Sequence, residues 1–181
     1  MENPETTALM GGRGAHLAQL TIRHLVKEDL IALEWGGEYT HFRGLYAKAY
    51  ERARERKAVL WVAELGDSGV IGQIFVQLSS WKDRLAEGIS RAYIYSFRVH
   101  PAYRNLGIGT RLLEAAEADL TRRRVEVASL NVARDNQAAR RLYERRGYRV
   151  VRAEPGVWQY VDHQGDVRSV HEPAWRMEKK L

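Results

Sequence analysis

The chain has no cysteine. Disulfides, a cysteine nucleophile and any thiolate-held metal site are therefore excluded. No apolar run reaches the roughly 20 residues that a membrane-spanning helix requires. Residues 1–16 contain no apolar segment of the signal-peptide kind, and Gly11-Gly12-Arg13-Gly14 reads as a flexible tail. These absences fit a cytoplasmic protein and leave residues 17–181 as a single domain, enough for a real core and too few for two comfortable ones. His24, His41, His100, His163 and His171 show no paired ligand spacing, so no metal is expected. Acidic residues are scarce in one stretch: 98–152 holds thirteen Lys/Arg against six Asp/Glu, while the rest holds sixteen against seventeen. That stretch thus carries +7 and the rest −1, and its excess would attract a polyanion.

Periodicity supplies the elements. Leu17 to Arg23 reads as a strand and Glu28 to Trp35 as a short helix broken by Gly36-Gly37. Thr40 is placed to cap a helix to about Arg56, with Phe42, Leu45, Tyr46, Ala49 and Ala53 on one face. Ala58–Leu65 and Val70–Leu78 form a hairpin about Gly66-Asp67-Ser68-Gly69, with Gly72 marking a bulge. A charged loop, Ser79 to Arg91, leads to the strand Ala92–Val99. A helix Gly109–Arg123, a strand Val125–Val132, a helix capped by Asp135 with Ala138, Ala139, Leu142 and Tyr143 on one face, and a strand Tyr148–Ala153 follow. Gly147 ends the second of those helices. The tail from Val157 reads as a hairpin about Asp162–Asp166 and a last strand from Ala174. The alternation predicts an α/β fold, a central twisted mixed sheet with helices on both faces. Trp158 and Tyr160 share one face of the tail, to be covered by the monomer's own core or by a second copy in a homodimer.

The chemistry concentrates after Val99. A strand stops at Pro101, and Arg104-Asn105-Leu106-Gly107-Ile108-Gly109 opens a helix at once. Glycines let backbone N–H groups approach a ligand, and a helix start offers unpaired donors and a positive dipole end, which suits a pyrophosphate. Arg104 adds a guanidinium fork. Thr110-Arg111 replaces the Lys-Ser/Thr of a P-loop, and Leu112 stands where a dinucleotide fingerprint has its third glycine. A second block runs Asn131-Val132-Ala133-Arg134-Asp135-Asn136-Gln137-Ala138-Ala139-Arg140-Arg141-Leu142-Tyr143 and closes at Gly147-Tyr148.

Together, Val-x-Pro before Arg-x-x-Gly-x-Gly and the later Asn-x-x-Ala-x-x-Leu-Tyr-x-x-x-Gly-Tyr resemble the two cofactor segments of the GCN5-related N-acetyltransferases. The resemblance covers residues 17–178 in element order and is specific from about Tyr93 to Val150. It implies acetyl-CoA as co-substrate. Phe97, Arg98 and Val99 would pair with the pantetheine amides along a strand edge splayed from the next strand. The loop Arg104, Asn105, Leu106, Gly107, Ile108, Gly109 and Thr110 would hold the pyrophosphate. Asn131, Asn136, Ala139 and Tyr143 would complete the cofactor site. Tyr143 would be the general acid that protonates the leaving thiolate. Backbone N–H groups near Phe97 to Val99 would stabilise the oxyanion.

The base is open. The strand Tyr93-Ile94-Tyr95-Ser96-Phe97 carries no carboxylate, unlike many relatives. Glu34 and Glu38, beside the glycine break, are the candidates from the early helices, and Glu34 is taken as the catalytic one. Tyr95 or Ser96 positioning a water is the alternative. Trp35, Tyr39, Phe42, Tyr46 and Trp81 could line an aromatic acceptor cleft suited to a cationic or amphipathic amine, or could be core. The expected activity is direct acetyl transfer to a small-molecule or peptide amine in a ternary complex, since no cysteine can carry the acetyl group. A non-catalytic acyl-CoA-binding module is the main alternative. Nucleic-acid binding rests on charge alone, with no helix-turn-helix, zinc-finger or RNA-binding signature.

Overall fold

The computed structural model describes residues 18–78 and 91–181. The expected tail, most of the charged loop and Trp81 lie outside them.

Nine strands and three helices are seen among the described residues: β1 Leu20–His24, α1 Arg43–Arg54, β2 Ala58–Leu65, β3 Val70–Gln77, β4 Arg91–Val99, α2 Ile108–Arg122, β5 Val127–Ala133, α3 Gln137–Arg145, β6 Arg149–Glu154, β7 Val157–Val161, β8 Val167–His171 and β9 Ala174–Lys180. Seven strands form one mixed sheet in the order β1-β2-β3-β4-β5-β9-β6, and β7 and β8 form a separate ribbon. Helices lie on both faces, as expected. Leu112, Leu113, Ala116 and Leu120 of α2 pack on one face with Tyr143 of α3. Tyr46 and Ala49 of α1 pack on the other with Leu33, Leu60 and Phe75. Burying two apolar sheet faces under helices is what a sheet with a parallel central pair demands.

Gly72 does sit at a bulge: β2 and β3 shift register between Ala63 and Glu64. It also lets α2 come close, because a Cβ there would lie 3.0 Å from Leu112 Cδ1.

Three local expectations are corrected. Residues 28–35 do not make an α-helix. They form short 3₁₀ turns, Lys27–Leu30 and Ala32–Gly37, with Trp35 and Gly36 in left-handed conformation. Thr40 does not cap α1; its hydroxyl donates to Glu34 Oε2 at 2.8 Å, and the α-helix begins only at Arg43. Asn136, not Asp135, caps α3: its Oδ1 accepts from Ala139 N at 3.1 Å. An asparagine oxygen one position nearer the first turn reaches the orphan N–H that Asp135 does not. Ala138 is exposed rather than packed.

The β7–β8 ribbon settles part of the tail. Trp158 and Tyr160 rest on Phe42, with ring centroids 6.3 and 5.0 Å away, so this chain covers part of its own aromatic face, while Trp158 stays 39% exposed. Val157, Val161 and Val167 point outward and are exposed.

Candidate active site

Two departures from regular pairing open the sheet at its centre. β4 and β5 are parallel from Arg91↔Val127 to Ile94↔Leu130, and there the pairing ends. Beyond Ile94 the β5-facing edge of β4 has no strand partner, which is the splay the sequence suggested. On its other side, β4 shifts register against β3 between Gln73 and Phe75, so Ser96 and Phe97 together face Ile74. Ser96 takes φ +49, unusual for a residue with a Cβ. Its Oγ accepts from Gln73 Nε2 at 2.8 Å, which anchors the bulge. The extra residue resets the alternation. Ile94, Phe97 and Val99 face α2 and α3, while Tyr95 and Arg98 face α1.

The loop after β4 is built to leave donors open. Arg104 Nε donates to Val99 O at 3.0 Å, folding the loop over the strand end. Asn105 and Gly107 take φ +62 and +78. No acceptor among the described residues meets the backbone N–H of Asn105, Leu106, Gly107, Ile108, Gly109 or Thr110, whereas the next amide, Arg111 N, bonds Gly107 O. A Cβ at Gly107 would have nothing within 4 Å, so that surface is open. At Gly109 a Cβ would stand 3.6 Å from both Leu142 Cδ2 and Phe97 Cζ, in ordinary contact where α2, α3 and β4 meet. Consecutive unpaired amides at a helix N-terminus fit an oxyanion-rich group such as a pyrophosphate.

Tyr143 lies across the splay from β4, its ring 6.1 Å from that of Phe97. It is buried, and burial pushes its hydroxyl pKa well above the ordinary tyrosine value. The hydroxyl has no hydrogen-bond partner among the described residues. A neutral phenol without a hydrogen-bond partner, facing an open strand edge, has the chemistry to give up a proton there.

The other expected cofactor residues divide. Asn136 spends its Oδ1 on the α3 cap. Asn131, on the α1 side of β5, accepts from Arg176 Nε at 2.6 Å. Ala139 is half-buried against the α2-side core.

Glu34 is corrected. Its carboxylate accepts from Arg43 Nε at 2.6 Å, Arg43 Nη2 at 2.8 Å and Thr40 Oγ1 at 2.8 Å. The Arg43 guanidinium holds its pKa below the usual carboxylate range. A carboxylate with both oxygens taken and its pKa depressed is a poor proton acceptor; here it ties the 3₁₀ turns to α1. Glu38 is exposed.

Residues that the sequence named for separate roles come together around the cleft. Arg98 Nη1 donates to Tyr46 Oη at 2.6 Å, and its Cζ lies 4.3 Å from the Tyr39 ring and 4.8 Å from that of Phe42. Tyr95, whose hydroxyl burial pushes up to about 12, stacks beside Tyr93. Trp35 meets His100 at 5.2 Å, joining the 3₁₀ turns to the glycine loop beside a groove of about 370 Å³. The bulge at Ser96 had no signal in the sequence. Arg98 had one, a cation on an aromatic strand, but its direction depends on that bulge.

The basic stretch is partly neutralised at home. Arg122 and Arg123 reach back to Asp119, Arg140 pairs with Glu144, and Arg146 with Glu114 and Glu117.

Comparisons with known proteins agree with this geometry. The Acetyltransferase (GNAT) family model matches residues 12–148. The chain is 29% identical over 157 residues to the Xenopus tropicalis protein named probable N-acetyltransferase camello, covering 82% of this chain and 67% of that one. Ard1 from Thermoplasma volcanium superposes with a TM-score of 0.69 at 19% identity, over 90% of this chain and 98% of that one. Arabidopsis thaliana NAA60, solved in complex with acetyl-CoA, gives 0.64 at 21% identity, over 90% and 98%. With its splayed strands, open glycine loop and buried tyrosine, the chain belongs to the acetyltransferase (GNAT) family and is an N-acetyltransferase.

Proposed function

We propose that this enzyme moves an acetyl group from acetyl-CoA directly to a primary amine while both are bound. The run of unsatisfied amides from Asn105 to Thr110, at the mouth of the β4–β5 splay, carries the reading. Acetyl-CoA supplies an activated acetyl thioester; the rest is done by this chain. The Asn105–Thr110 amides and Arg104 bind the pyrophosphate. The free edge of Phe97, Arg98 and Val99 binds the pantetheine amides as a strand would. Asn131, Asn136 through its side-chain NH₂, and Ala139 flank the same slot. Backbone N–H groups at the Ser96–Val99 bulge stabilise the charge that develops on the thioester oxygen as the amine nitrogen bonds to carbon. As the C–S bond breaks, Tyr143 Oη gives its proton to the departing thiolate, and its raised pKa keeps that proton in place until then. The amine enters from the α1 side, where Tyr39, Tyr46 and Arg98 line the cleft.

No helix among the described residues is long and apolar enough to cross a membrane. A cytoplasmic location, and a homodimer formed through the outward valines of the ribbon, belong to the same proposal. Sedimentation across micromolar concentrations tests the dimer.

The central test combines calorimetry with acetyl-CoA and detection of free thiol over an amine panel. Binding with amine-dependent thiol release is expected. Binding without release would instead indicate an acyl-CoA sensor, and no binding would overturn the reading.

A further inference from the structure

Four arginines withdrawn from solvent meet carboxylates: Arg23 with Asp29, Arg91 with Glu178, Arg146 with Glu117 and Arg176 with Glu154. Arg98 meets none among the described residues. It is half-buried, yet its contacts among the described residues are the Tyr46 hydroxyl and the faces of Tyr39 and Phe42. A guanidinium carries five donors in a fixed plane. One is used by Tyr46, and stacking on two rings holds the plane without consuming the others.

Its place gives this meaning. The Ser96 bulge turns Arg98 to the α1 side of β4, away from Tyr143 and one residue beyond Phe97. That is the side from which the acceptor arrives. The aromatic rings expected to receive a cationic amine already hold a cation, so a second positive charge there would be repelled. Of the acids in the same stretch, Glu34 is bound by Arg43, and Glu38 is exposed and makes no ion pair with Arg98 among the described residues.

We infer that the acceptor is an amine that also carries an oxyanion, and that Arg98 is the specificity-determining residue that binds it. The inference rests on the acetyltransferase reading above. A guanidinium fork matches the two oxygens of a carboxylate or phosphate, and the bonds are charge-assisted on both sides. Tyr39, Phe42 and Tyr46 keep the plane fixed, so little entropy is lost when the oxyanion docks.

The experiment compares matched acceptors by thiol release, with rates corrected for the fraction of neutral amine. Free amino acids are set against their carboxamides, O-phosphoethanolamine against ethanolamine, and spermidine serves as the cationic control. The wild type should favour an oxyanion-bearing member by roughly tenfold or more in kcat/KM, the weight of one charged hydrogen-bonded contact. Whichever pair shows it tells carboxylate from phosphate. In Arg98→Met that ratio should fall towards one through a raised KM, and Arg98→Lys should restore part of it. A purely structural Arg98 would slow all acceptors alike and leave the ratio standing, which would overturn the inference. So would equal use of the uncharged partners, preferred use of spermidine, or no turnover of any probe by a protein that binds acetyl-CoA. Failure to bind acetyl-CoA in the parallel calorimetry would fail the acetyltransferase reading itself.

Discussion

Between Asn105 and Thr110, six backbone N–H groups find no acceptor among the described residues. Between Ile31 and Arg43, the buried carboxylate of Glu34 accepts three hydrogen bonds from within its own stretch, and Tyr39 and Phe42 already stack on Arg98. The first loop is unfinished without a ligand; the second is largely complete. A loop that binds phosphate through main-chain donors must leave them unsatisfied, and glycine geometry is how it does so. A loop that shapes an acceptor cleft must hold its side chains still, so it spends its polar groups internally. In the proposed reading, one region binds with its backbone and the other selects with its surface.

The strongest way to break this contrast is to fill the open loop. Gly107→Glu adds a side chain at φ +78 and puts a carboxylate where the unpaired amides would meet phosphate. Acetyl-CoA affinity by calorimetry should fall roughly 100-fold or more, the loss of about two charge-assisted contacts. Unchanged affinity would move the cofactor elsewhere.

Next in size is Tyr143→Phe. The hydroxyl has no partner to lose among the described residues, so Tm should hardly move. Turnover should drop by about 10²-fold with acetyl-CoA affinity kept. An undiminished rate in single-turnover measurements would remove the tyrosine from the chemistry.

Glu34→Gln probes the closed loop. Tm should fall by about 2–4 °C, and KM for the acceptor should rise, while acetyl-CoA affinity stays as it was. A loss of cofactor affinity equal to the acceptor effect would erase the distinction between the loops. The same site predicts a pH dependence. The folded-state pKa of Glu34 lies below its unfolded value, so the folded state binds that proton less readily. Its stabilisation is present in full above the unfolded carboxylate value, about 4.3, and is lost as pH falls through the depressed folded value. Acid melting curves of Glu34→Gln should be flatter than wild type over that interval.

The smallest effect belongs to the ribbon. Asp162 accepts from Gln164 N, Asp166 N and Arg168 Nε, which pins the turn. Asp162→Asn should lower Tm by no more than about 2 °C. Because Trp158 and Tyr160 rest on Phe42, it should change acceptor KM slightly and acetyl-CoA affinity not at all.

Much of this fold was legible before any coordinates. The strands around Gly66-Asp67-Ser68-Gly69 and Asp162–Asp166, the helix after Gly107 and the Gly147 cap follow from short-range rules that act within a few residues. So does the cofactor loop, whose donors are main-chain groups placed by glycines close in sequence. What misled was competition over longer reach. Thr40 would cap a helix on propensity alone, but Glu34, six residues back, claims its hydroxyl. Glu34 looked like a free carboxylate until the first turn of α1 brought Arg43 onto it. Arg98 was read through its backbone because nothing local announces the bulge at Ser96, which is set by Gln73 on the neighbouring strand. Sequence by itself determined the family and placed the glycine loop at the start of α2 and Tyr143 on α3, because each depends on local spacing. Only the tertiary structure decided which charges are paired, since partners such as Glu34 and Arg43 or Arg176 and Glu154 are brought together by the fold and not by local spacing.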